Sequence, residues 1–155
     1  MKMKRMVTIA RALKEKNRVA GRLAKARQLV NKENSKEKKV PRGVDVKAVY
    51  AEAKMLRNRL VAIKTAIAVA NQSIVGRIVE LAEVKSEIAY LNALDVQEGV
   101  FEESNYGGKL VKEYDAVLQK AEVLAEIDAL QHRADELQDA LDEFNASVKV
   151  EIEVD

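Results

Sequence analysis

His132 is the chain's one histidine, and Asp128 and Glu136 stand four residues before and after it. On a helix the three share a face, and an imidazole with two carboxylates is a donor set for a divalent cation. Metal sites inside helix bundles draw Glu-x-x-His pairs from several helices, and no such pair occurs. The face therefore reads as solvated acidic surface, and no metal is expected. Glu80, Glu83 and Glu87 form a second acidic ladder; with Arg77 and Lys85 beside it, surface ion pairing explains it better than acid–base catalysis. Gly107-Gly108-Lys109 shares residues with a phosphate loop but lacks the G-x-x-x-x-G-K-[ST] spacing, and Leu110 stands where the hydroxyl belongs. Without cysteine there is no disulfide, thiolate metal site or cysteine nucleophile. No catalytic or cofactor-binding residue is expected, and an enzyme is not.

Charge is the more distinctive signal. Residues 1–45 carry 15 Lys and Arg against 4 Asp and Glu, and residues 98–155 carry 5 against 16, so the two segments are +11 and −11 within a chain of net +2. Arg5, Arg11, Arg18, Arg22, Lys25 and Arg27 are the candidate contacts to a nucleic acid or an acidic partner. Phosphate neutralisation would be salt-dependent and indifferent to sequence, and with no aromatic residue among the first 45 there is no platform for base stacking. The favoured reading is self-complementarity, the acidic region docking on the basic one in the same subunit or a neighbour.

These residues must be positioned by helices. Only 4% of the 155 residues are aromatic and one is proline, a composition that predicts an all-α protein, an antiparallel bundle of three or four long helices in one domain. A basic helix over 8–30 and a loop ending near Asp45 make up segment 1–45. A central segment, 46–94, follows. Within it Val49, Ala53, Leu56, Leu60, Ile63, Ile67, Ala70 and Ile74 recur at steps of four and three, a coiled-coil-like seam. Asn71-Gln72-Ser73 and Gly76 leave open whether this is one rod or a helical hairpin. Its apolar run is broken well short of the roughly 20 residues a membrane span needs, and the basic opening is followed by no secretory apolar stretch; cytoplasmic residence is the default.

Segment 95–112 is expected to be either a hairpin, with Val100-Phe101 and Leu110-Val111 in its strands, or a plain loop. An acidic helix is expected over 113–147, with Ile127, Leu130, Ala134, Leu137, Leu141 and Phe144 on its seam. In 148–155 the spacing changes to strict alternation, with Val148, Val150, Ile152 and Val154 on one side. That is a strand signal. Its partner would be the 100–111 hairpin or the same strand of another subunit, which makes these four residues candidates for an oligomer contact.

Three stretches, ALKEKNRVAGRLAKARQLVNKENS (12–35), IKTAIAVANQSIVGRIVELAEVKSEIAYL (63–91) and LQDALDEFNAS (137–147), together resemble the septicolysin-like family of small helical proteins of bacteria and phages. The resemblance implies a helical fold; the family's name hints at membrane damage, with no motif here to carry it. The basic first helix and the alternating tail depart from the family pattern. The expected role is a helical interaction protein that forms homo-oligomers, with nucleic-acid binding as the alternative and membrane activity, from the resemblance alone, as a third reading.

Overall fold

The computed structural model describes residues 3–154; Met1, Lys2 and Asp155, at the ends of the expected basic segment and of the tail, lie outside the described residues. Four long helices and two small two-stranded antiparallel sheets are present, in the order β1 (Met3–Thr8), α1 (Ile9–Asn34), α2 (Val46–Ala70), α3 (Val75–Ala93), β2 (Gly99–Asn105), β3 (Gly108–Tyr114), α4 (Lys120–Ser147) and β4 (Lys149–Val154). The chain divides into two compact units, residues 1–74 with 142–155 and residues 75–141. No helix among the described residues is long and apolar enough to cross a membrane.

The first unit is built on α1 and α2. Thr8 Oγ1 accepts from the Arg11 N–H at 3.3 Å and Asp45 Oδ1 from the Ala48 N–H at 3.1 Å, so each helix begins where a side chain satisfies an otherwise orphaned donor. Ile9, Ala12, Val19, Leu23 and Ala26 of α1 meet Ala53, Leu56, Ile63 and Ile67 of α2 in one core. The α2 residues are the central members of the sequence seam. Between the helices, the expected loop is tied back to the end of α1. Glu33 accepts from the Gly43 N–H at 2.9 Å and pairs with Lys36 at 2.8 Å, while Arg42 donates to the backbone carbonyls of Glu33 and Asn34. Those carbonyls have no partner within the helix, so Arg42 takes the place of a glycine cap.

The alternating tail does form a strand, but its partner is neither of those expected. β4 pairs antiparallel with β1, Met3 opposite Val154 through Thr8 opposite Lys149, and residues 3–7, read from sequence as lying ahead of the first helix, are a strand. Val150, Ile152 and Val154 are buried in the α1–α2 core and Val148 packs against it. The alternation that marks the strand also points its apolar side chains into the chain's own core.

After α2 a single 3₁₀ turn, Asn71–Ser73, interrupts the helix before α3, where polar side chains compete for backbone hydrogen bonds.

In the second unit, Leu81 of α3 and Ala134 and Leu137 of α4 are buried together, with Val84, Ile88 and Leu141 half-buried against them. Segment 95–112 resolves to the hairpin rather than the loop, and it is longer than expected: β3 runs to Tyr114. A two-residue turn, Tyr106-Gly107, joins the strands, and Gly108 takes φ +125°, open to glycine alone. The acidic helix consequently begins at Lys120, not near 113. There Glu122 reaches back to accept from the Gln119 N–H at 3.1 Å, half of a capping box.

Candidate functional site

The densest cluster of polar chemistry lies in the first unit and was not expected from the sequence. Glu15 and Arg59 occupy seam positions of α1 and α2 and are buried. The Arg59 guanidinium donates to Glu15 Oε1 and, at 3.1 Å, to the backbone carbonyl of Glu153 in β4. Arg18 closes on the same carboxylate with two bonds, at 2.9 and 2.8 Å. Both oxygens of Glu15 are engaged, and one guanidinium ties three elements together. Charge-assisted bonds of this geometry are strong, and a guanidinium is the cation best suited to them.

Two open hollows flank the cluster. One, of about 470 Å³, is lined by Met55, Asn58, Arg59 and Ile63 of α2 together with Lys4 of β1 and Glu151 of β4. The other, of about 400 Å³, lies along α1 between Thr8 and Arg18. Neither presents a nucleophile with a base beside it, and among the described residues no group of three or more His, Asp or Glu converges on a point where a metal would sit.

The candidate basic residues are partly gathered by the fold. Arg11, Arg18, Arg22 and Lys25, with Lys14, recur at steps of three and four and are exposed, forming one stripe about 21 Å long at 1.5 Å per residue. Arg27 lies some 140–180° around the helix from that stripe by the 100° step, and Arg5 is on β1. Arg18 is held by Glu15 and Arg22 by Glu52 of α2 at 3.1 Å, so the stripe is anchored by local carboxylates. Among the described residues no carboxylate pairs with Arg11, Lys14 or Lys25.

The acidic constellations resolve to surface. His132 stands 3.9 Å from Asp128, both exposed, while Glu136 pairs with Arg133 at 3.1 Å, so the three do not converge. Glu80 of the α3 ladder meets Arg133 of α4 at 2.7 Å. The hydrogen bond from Arg133 lowers the Glu80 pKa below the usual carboxylate value, and the bond to Glu80 raises that of Arg133. Gly107-Gly108-Lys109 is the tip of the hairpin, where Lys109 pairs with Glu102 at 3.3 Å.

By unit, the separation of charge is complete in sign. The first unit holds 21 Lys and Arg against 10 Asp and Glu, a net of +11, and the second 6 against 15, a net of −9. No protein-family model, curated protein or solved structure matches the chain.

Proposed function

We propose that the chain is a non-enzymatic helical interaction protein that assembles with copies of itself, the basic unit of one copy meeting the acidic unit of another. The observation behind this reading is that the two compact units carry opposite net charge, +11 against −9. Exposed cations on α1 and exposed Asp128, Asp135 and Asp139 on α4 supply the facing charges. Fields of opposite sign steer encounter and select the partner more than they add affinity.

Light scattering on nuclease-treated protein tests it. At low salt the mass should be a multiple of 17.3 kDa, falling toward the monomer as salt shortens the Debye length to roughly 3 Å near 1 M. A monomer at low salt and high concentration defeats the proposal.

A second reading, polyanion binding, is favoured by the α1 stripe. It expects retardation of duplex or single-stranded nucleic acid that weakens steeply with salt, with a log–log slope of about −0.9 per duplex phosphate neutralised. Reversing Lys14 and Lys25 to Glu should weaken binding to all sequences alike. No retardation of either form at low salt disposes of it. The membrane activity implied by the resemblance is tested by leakage from anionic vesicles, whose absence removes it.

A further inference from the structure

Both sheets have bare edges. Among the described residues β1 is bonded on one side only, to β4, and β2 on one side only, to β3. A bare edge is a row of unpaired donors and acceptors that templates another strand. The opposite edge of β4 is partly closed, since Arg59 occupies the outward carbonyl of Glu153. Among the described residues β1 and β2 have no such guard.

The parity of each ladder fixes which residues address the bare edge. The bond from the Ile9 N–H to the Val148 carbonyl, 2.9 Å, continues the β1–β4 register. Hydrogen-bonded pairs alternate with non-bonded ones, so Val7 and Arg5 bond to β4, and Lys4 and Met6 turn their backbone groups outward. In the hairpin, the two-residue turn makes Asn105 opposite Gly108 the closing bonded pair. Val100, Glu102 and Ser104 then face outward from β2.

Resting on the homotypic assembly proposed above, we infer that β1 of one copy pairs antiparallel with β2 of another, in the register that sets Lys4 opposite Glu102. Charge decides among the edges. β1 carries Lys4 and Arg5 and no acid, β2 carries Glu102 and Glu103 and no base, whereas β3 carries Lys109 and Lys112 beside a single acid, Glu113. Pairing β1 with itself brings cations together, pairing β2 with itself brings carboxylates together, and the register that would set Lys4 on Glu113 of β3 sets Arg5 on Lys112; like charges across a ladder are destabilising.

Outward residues must oppose outward residues, which restricts the register to steps of two. With Lys4 on Glu102, Met6 falls on Val100, Arg5 on Phe101 and Met3 on Glu103. Met6 and Val100, 61% and 63% exposed, cover each other, and Arg5 lies against an aromatic ring. A step of two one way sets Lys4 on Val100 and leaves no ion pair, while a step the other way sets Arg5 on Glu103 but puts Met6 on Glu102 and Lys4 on Ser104, so only the stated register both pairs opposite charges and covers Met6 with Val100. The contact is heterologous, each copy contributing one basic and one acidic edge, so copies join in a ring or an open chain.

Because the chain has no cysteine, single cysteines report the register. Arg5 and Phe101 form a non-bonded pair with Cα atoms about 4.5 Å apart, inside the disulfide range. Arg5→Cys and Phe101→Cys chains, mixed in a glutathione redox buffer, should give a mixed disulfide dimer about tenfold in excess of that from Arg5→Cys with Glu102→Cys, whose side chains lie on opposite faces. Separately, Glu102→Lys should lower the solution mass at fixed salt and Lys4→Glu in the same chain should restore it. A merely structural role for Glu102 would not be rescued in this way. Equal trapping in both mixtures, or loss of mass without rescue, overturns the inference. If the protein remains multimeric at low salt and traps no mixed dimer, the strand contact fails and charge-driven assembly survives; a monomer at every salt ends both.

Discussion

Both units begin from the same plan, two long helices joined by a connection that doubles the chain back, yet they end with different interiors. Among the described residues the core of the first has thirteen buried members drawn from α1, α2, β1 and β4, while the packed cluster of the second has three, from α3 and α4, with Leu91 and Val123 buried apart from it. The difference follows from what each β element does with its faces. β4 alternates and lays one apolar face over the α1–α2 groove, adding a third layer. In β2 and β3 apolar and charged residues fall on both faces, and every residue but Tyr114 is exposed. A two-stranded sheet becomes useful to a fold when it has something to lie on.

Three substitutions sharpen or break this contrast. Arg59→Ala should have the largest effect, about 3 kcal/mol, because it takes from Glu15 its buried partner, leaving only the half-exposed Arg18 on that carboxylate, and also frees the Glu153 carbonyl. Urea unfolding should show the loss, and replacing both partners, Glu15→Leu with Arg59→Met, should recover most of it. If the single and double variants are equally unstable, the cluster is not what joins β4 to the helices. Next, Leu137→Ala, at the centre of the smaller core, should cost about 2–3 kcal/mol. Amide exchange should accelerate through α3 and the first part of α4 while α1 and α2 keep their protection; uniform acceleration would mean that the units unfold as one.

The smallest effect is expected at the α1–α2 connection, and its signature is pH. The bonds from Lys36 and the Gly43 N–H hold the Glu33 pKa below its ordinary value of 4.5. A carboxylate lowered on folding stabilises above its unfolded pKa, and that contribution is lost as pH falls through the folded value. Wild type should therefore exceed Glu33→Gln in stability near pH 7, with the two curves converging below pH 4.5. A gap that persists at low pH would assign Glu33 a role independent of its charge.

What was legible in the sequence was periodic. The α2 seam, the Asp45 cap and the tail strand announced themselves because apolar spacing or a capping residue maps directly onto backbone geometry. β1 did not. Lys4 and Arg5 interrupt any alternation, only Val7 among its residues is buried, and the segment is a strand because β4 makes it one. Glu15 and Arg59 were hidden for a related reason: a charged residue at a helix position reads as surface. The available signal was that each falls where its helix's apolar seam demands a buried residue, Glu15 between Ala12 and Val19 and Arg59 between Leu56 and Ile63. The start of α4 was misplaced because Glu113 and Tyr114 suit a helix as well as a strand, and pairing across the hairpin decides between them.

The pairing of β1 with β4 also sets a timetable. Residues 3–8 must find residues 149–154, so during synthesis the first strand waits, with both edges open, until nearly the whole described chain has been made. The α1–α2 and α3–α4 pairs involve nearer neighbours and have no such wait, since short loops close first and distant contacts are slow to form. The better-packed unit is thus the later one to be finished, and a chaperone that shields the nascent chain would have its main task at residues 3–8.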